Sequence, residues 1–501
     1  MPYIEFGEYL PDLPPFKNNG VTIATNVRPG GKSYLSFPSP VVFSTSGMDD
    51  DVQGAISIKD YDSVVYNFFG TSGVGDVPIP AKIYQQAGTS FTDVSQLGGY
   101  TVSEDEIWEF AQWGNGVVAT NYSDNPQHLT LGNASFSDLA GTPPKARHMA
   151  VVKDFLVLGN INDAVDGAVT NRLRWSAVGD IEDWSISAVT QADYEDLEET
   201  GGEIQAIIGG ESGVVFRDYA IHIMTYVGSP VVFQIDKIEN GSGLLAPRSI
   251  AVHGKLIFYL GRDNFYVFDG RQSIPISTNK INQFFFDNVN LTWVNRIHAS
   301  IDFDKQIVQW AFPSNNSVNG LCDNVLMYNF SENGNKRWAL CDSISTSFFG
   351  LTLTTGYTLE ELDNVNINLD LLPFSLDSRF WKGGFDVLTG INSDFELVQF
   401  VGTAFDATID TQEIQIYENN RAMVTNVRPI IDGSASVAVY VGTRDNLSES
   451  VSFSTPKTPN AAGDFPTREN ARYHRFRVTT SGNFNHAQGI DIIEASNEGK
   501  Y

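Results

Sequence analysis

Few side chains in this chain stand at spacings that catalysis or metal binding would need. Asp302 and Asp304 flank Phe303 in a strand-like stretch. Two neighbouring carboxylates are the equipment of a glycosidase, one protonating the leaving group and the other attacking or activating water. In a chain with 60 acids, such a pair is also expected by chance. Asp49, Asp50 and Asp51 form a run that could attract calcium, but it lacks the spaced oxygens and the glycine of a known loop type, and a solvated loop is the preferred reading. A second acidic segment, 191–202 (QADYEDLEETGG), carries Asp193, Glu195, Asp196, Glu198 and Glu199. The seven histidines are scattered and none has metal-ligand spacing with another His or Cys. There is no HExxH, no GxSxG and no Walker loop. The expectation is therefore no catalytic residue, no cofactor and no metal, and a protein that is not an enzyme.

The balance of charge narrows the partners. Acids outnumber bases 60 to 32, a net charge of −28. Such a chain does not hold duplex DNA by neutralising phosphates; it repels it at long range. Two readings remain open, simple solubility or a surface over which DNA slides without adhering. Cys322 and Cys341 lie in no CxxC motif and read as buried thiols of a protein folded in a reducing cytoplasm. The first residues (MPYIE) lack a basic flank and an apolar core, so no signal peptide is expected. No run of about 18 apolar residues occurs, so no membrane span is expected.

The elements that would position any site show a period. Residues 82–95 (KIYQQAGTSFTDVS), 127–140 (QHLTLGNASFSDLA) and 172–185 (RLRWSAVGDIEDWS) align without gaps, each 45 residues after the last. Asp93, Asp138 and Asp183 coincide, with apolar Phe91, Phe136 and Ile181 before them and Val94, Leu139 and Trp184 after. Each aspartate is expected to close a turn by binding nearby backbone N–H groups. Between these segments lie hairpin patterns, with turns read at Asn115-Gly116, Lys153-Asp154, Arg217-Asp218 and His253-Gly254. A period near 45 with strand content is the signature of propeller blades, because one four-stranded sheet buries its two faces only against its neighbours. The expected fold is mainly β: a β-propeller over 51–350, with the acidic insertion near 191–202. An extended arm or docking segment precedes it over 1–50. A region over 351–501, mixed and then β, completes the propeller or forms a platform or tip domain. A short helix is read at 359–372. The segment TNVRP occurs at both 25–29 and 425–429 and reads as chance or as two similar strand ends. Trp108 and Trp113 read as blade packing, with a carbohydrate-binding propeller as the rival.

An ordered set of segments resembles the tail hub or nozzle proteins of short-tailed phages, of the packaged-DNA-stabilisation and tail tubular protein B kind. These are 24–29 (ATNVRP), 31–38 (GKSYLSFP), 174–184 (RWSAVGDIEDW), 201–208 (GGEIQAII), 216–223 (FRDYAIHI), 260–270 (LGRDNFYVFDG), 280–286 (KINQFFF) and 325–338. They continue with 357–363 (YTLEELD), 376–384 (LDSRFWKGG), 472–478 (RYHRFRV) and 487–490 (AQGI). The resemblance implies a structural virion protein, a subunit of a hexameric ring below the portal and adaptor. It also implies tail fibre, tailspike or needle proteins nearby, assembly in the host cytoplasm, and genomic DNA passing without sequence recognition. On that reading Asp49, Asp50, Asp51, Asp193, Glu195, Asp196, Glu198 and Glu199 are candidate DNA-channel or gate residues. The alternative is a propeller glycosidase or lyase, or a carbohydrate-binding propeller.

Overall fold

The computed structural model describes residues 3–16, 18–62, 64–73, 80–103, 106–331, 337–354 and 386–499. Within them, strands associate into seven four-stranded antiparallel blades and a β-sandwich. Blades one to six run in chain order over 52–93, 109–138, 145–196, 204–240, 251–275 and 298–341. The seventh combines three strands from 346–404 with Pro38–Val42. The inner strands of blades one, two, three and four (Val52–Lys59, Glu109–Trp113, Lys145–Val152, Ile204–Ile208) pack in succession. Those of five, six and seven (Ala251–His253, His298–Asp302, Thr346–Thr354) do likewise, and the seventh packs back on the first. Blades four and five meet through a shared core of Phe216 and Ile221 with Ile257 and Tyr259, so the ring of blades is closed, and the chain carries a β-propeller.

The second strand of a blade explains much of the composition. Gly116–Thr120 (GVVAT) and Ile307–Phe312 (IVQWAF) are buried at every position. A strand covered on both faces by neighbouring blades needs a continuous apolar run rather than alternation. Outer strands are shorter or more polar, as in Asp193–Asp196 and in Val232–Asn240, whose charged residues blunt an exposed edge.

The first fifty residues differ from the expected arm. Pro38–Val42 pairs with Leu397–Ala404 as the outer strand of blade seven, so the ring is closed by strands from distant parts of the chain. Val21–Thr25 lies between the outer strand of blade six, which it meets in parallel at Thr25 and Leu340, and Ala407–Thr411 of the sandwich. Tyr3–Glu5 pairs with the last long strand, Phe484–Gly499. Within this stretch Val27–Pro29 pairs with Tyr34–Ser36, and the backbone groups of the other strands are met by the sheet edges of the sandwich and of blades six and seven.

The sandwich has one sheet of Val21–Thr25, Ala407–Thr411, Tyr473–Ser481, Ser436–Arg444 and Ser452–Phe453. The other contains Tyr3–Glu5, Val27–Pro29, Tyr34–Ser36, Phe484–Gly499, Arg421–Gly433 and Phe465–Ala471. The first sheet is continuous with blade six. One core accordingly runs from Phe258 and Phe265 through Trp310 and Trp338 to Val439, Phe476 and Ile490. The described residues from 351 divide at about 405: Asp386–Asn392 and Leu397–Ala404 belong to blade seven and the strands from Ala407 onward to the sandwich. The helix read at 359–372, and the segments 357–363 and 376–384, lie outside the described residues. No helix among the described residues is long and apolar enough to cross a membrane.

Candidate functional site

Inner strands of a propeller begin on one face around the axis, and the residues just ahead of them meet there. Arg248 precedes the inner strand of blade five. Its Nη1 donates to the Gln53 carbonyl of blade one at 2.6 Å and its Nη2 to the Asn295 carbonyl at 3.0 Å. Arg296 precedes the inner strand of blade six and pairs with Asp51 of blade one at 3.0 Å. Blade one is adjacent to neither five nor six, so both arginines reach across the axis. The Arg248 Nε is out of contact with solvent and has no hydrogen-bond partner among the described residues. Burial, and then the charge of Arg296, push the Arg248 guanidinium down to about 10.

Beneath these arginines His298 is fixed as one tautomer. Its Nδ1 lies 2.7 Å from the Arg296 carbonyl and donates to it, while its Nε2 accepts from the Phe349 amide at 2.7 Å. The ring stacks on Phe348 at 5.0 Å. Burial, and then Arg248, hold its pKa down to about 3, so this imidazole is neutral. Cys322 donates its thiol to the Arg296 carbonyl, and burial pushes that thiol up to about 12. Both cysteines are free and buried.

Beside the crossing lies a cavity of about 190 Å³. The inner strands of blades two to six, or the connections into them, contribute Ile107, Arg147, His148, Glu203, Pro247 and Asn295 to its wall. His148 Nδ1 lies 2.7 Å from Glu109 Oε1, and the other Glu109 oxygen accepts the Met149 amide at 2.7 Å. Arg147 lies over the Tyr122 ring, 4.2 Å from its centroid. Sequence reasoning singled out none of Arg147, Arg248 or Arg296. The signal was available: 52–406 holds only 20 bases against 43 acids, and two of the 20 stand just ahead of inner strands.

The eight acidic candidates do not form one site. Asp49, Asp50 and Asp51 lead into the inner strand of blade one. Asp49 pairs with Lys82 at 2.6 Å, and Asp50 is buried and accepts from Ser72 and from the Asp51 amide. With Asp51 held by Arg296, this triplet binds the protein's own donors, which corrects the reading of a solvated loop. Asp193, Glu195 and Asp196 lie on the outer strand of blade three, and Glu198 and Glu199 follow it. Asp196 takes Arg172 in a two-pronged contact of 2.5 and 2.8 Å, and Glu199 lies 3.4 Å from Lys237. Glu195 and Glu198 are exposed. The two groups thus sit on different blades, one at an inner and one at an outer strand.

The repeated aspartates divide. Asp93 and Asp183 each accept the amide two residues ahead, of Ser95 and Ser185, at 3.0 Å. Asp138 instead accepts from the Gln127 and Asn125 side chains, so the turn role holds at two of the three positions. The following Val94, Leu139 and Trp184 are all buried. Asp302 and Asp304 stand at one hairpin turn, where Asp302 is tied to Lys305 at 2.8 Å. Trp108 is buried against Gly54 and Gly70, where a Cβ would collide with it, and Trp113 packs on the core of blades two and three. Among the described residues, no group of three or more His, Cys, Asp or Glu is placed to hold a metal ion.

No protein-family model matches this chain, and no curated protein matches it. Solved structures with a similar arrangement include a computationally designed protein, Ika8 (10% identity, 72% of this chain and 100% of that one, TM-score 0.39). YCF48 from Cyanidioschyzon merolae is similar at 9% identity over 73% of this chain and 99% of that one, with a TM-score of 0.40. YCF48 bound to D1 peptide aligns at 10% identity over 73% and 98%, with a TM-score of 0.37. Likeness at this level carries no functional argument, and the propeller assignment stands on the strand pairing and ring closure above.

Proposed function

We propose that this chain is a structural, non-enzymatic subunit of a sixfold ring in the tail of a short-tailed phage, retaining the packaged genome and bordering its path at ejection. The observation that carries the reading is the ordered series of segments from 24–29 to 487–490 that resembles tail hub and nozzle proteins. Two physical features support it. The propeller-bearing part, 52–406, holds 43 acids against 20 bases, a balance that discourages adhesion of a polyanion. The sandwich shares one core with blades five to seven, which suits a subunit that transmits load without hinging.

The propeller axis is not the conduit on this reading. Arg248 and Arg296 cross it, and the cavity beside them is of small-molecule size. DNA passes between copies of the chain, and the exposed outer edge of blade three, with Glu195 and Glu198, is the stretch of the acidic candidates free to border it. The Asp49–Asp51 triplet is assigned to holding blade one, not to gating. Portal, adaptor and fibre proteins are the neighbours this reading names. The test is immunogold electron microscopy of intact virions with antibody to this chain. Label at the tail axis is expected; label on the capsid shell or on fibre tips alone sinks the proposal.

A further inference from the structure

The axial cavity has the features of a built binding site, and its argument is independent of the tail-ring reading. Arg147 reaches its wall from the inner strand of blade three. Its guanidinium is stacked at 4.2 Å on the Tyr122 ring and makes no hydrogen bond or ion pair among the described residues. A stacked guanidinium keeps its N–H fork available in the plane of the group, the geometry that receives a carboxylate in two parallel bonds. Asn160, 1% exposed, lines the same cavity. Its Nδ2 donates to the Ile204 carbonyl at 3.1 Å, which fixes its Oδ1 as an acceptor, and that oxygen has no hydrogen-bond partner among the described residues. A buried acceptor left without a donor calls for an explanation, and a ligand O–H or N–H provides one. The exposed Glu203 carboxylate and the Gln205 side chain complete the polar wall, with Gln205 Nε2 already donating to Asp218 at 3.1 Å.

The backbone adds to this. Tyr122 follows the second strand of blade two and Asn160 lies within that of blade three, where the pairing shifts register between Gly159 and Ile161; both adopt left-handed conformations, φ 71° and 54°. For an aromatic residue such a conformation is costly and persists where the surroundings over-determine it, as at ligand clamps. Here it sets the ring under Arg147.

We infer that this cavity binds a small carboxylate bearing hydroxyl or amino donors, with Arg147 receiving the carboxylate and Asn160 Oδ1 and Glu203 receiving the donors. An acidic sugar and a free amino acid share that chemistry. The test is ligand-observed NMR and calorimetry on the full chain with D-glucuronate and L-glutamate. D-glucose and sulfate serve as the uncharged and the donor-less counterparts. Binding of glucuronate or of glutamate is expected, the stronger of the two identifying the source. Arg147→Gln is expected to weaken it about tenfold or more. Glu203→Gln is expected to weaken it less, and Lys255→Gln on an exposed hairpin turn to leave it unchanged. Far-ultraviolet circular dichroism confirms that each variant is folded before its affinity is read. Binding of neither acid at millimolar concentration overturns the inference. Equal binding of glucose or sulfate, or affinity unchanged in a folded Arg147→Gln variant, does so as well.

Discussion

Blades one to four and the unit formed by blades five to seven with the sandwich solve the same burial problem differently. The first four blades are each built from one contiguous stretch of chain and bury small separate cores between neighbours, such as Trp108 with Val117 and Phe136. The later unit draws strands from both ends of the chain into one core containing Trp310, Trp338, Phe265 and Phe476. Local blades can yield one at a time, whereas a core shared by strands from distant parts of the chain yields together, because each strand loses its buried contacts when the others leave.

The largest effect is expected from Asp410, fully buried between Arg475 at 2.9 Å and Arg477 at 2.7 Å. Asp410→Ala leaves two arginines without their carboxylate and is expected to cost about 3–5 kcal/mol. Equilibrium denaturation should show the sandwich and blades five to seven lost in one transition; a small separate transition would break the contrast. Trp184→Ala, at the repeat position of blade three, is expected to cost about 3 kcal/mol or more. Hydrogen exchange should then rise in blades two and three and stay unchanged in the sandwich.

Acid sharpens the same contrast. His298 and His474 belong to the later unit, and burial holds them down to about 3 and about 4. The unfolded chain takes up protons near pH 6.5 that these folded imidazoles refuse. Their contribution is therefore complete above that pH and falls as pH drops toward 3–4, by up to about 1.4 kcal/mol per pH unit for each histidine. His298→Asn should flatten the pH dependence of unfolding between pH 6 and 4, read by urea midpoints; an unchanged slope would remove His298 as a cause. The smallest effect separates the repeated aspartates. Asp183→Ala loses the Ser185 amide contact and is expected to cost about 1 kcal/mol.

What was legible in the sequence follows the same division. The local blades carry a period of 45 and hairpin turns, and Lys153, with φ 53°, sits at the turn read there. The turn expected at Asn115-Gly116 falls one residue earlier, on Gly114 and Asn115. Pro38–Val42 could not be read as a blade strand, because its partner lies some 360 residues away and nothing local marks it. The TNVRP echo did hold a trace: Val27–Pro29 and Arg421–Gly433 lie in one sheet, with Val27 and Val427 both fully buried. At the axis, charge counting found the acids but not their partners. Asp51 was legible as an acid, and only the folded ring brings Arg296 to it.

Cryo-electron microscopy of the intact virion tests the central claim most directly, with density assigned to this chain by its sequence. A closed sixfold ring on the tail axis is predicted, with DNA density between the copies, blade three's outer edge bordering it and every propeller axis blocked at Arg248 and Arg296. A chain absent from the tail axis, or DNA density running through a propeller's own centre, would contradict it.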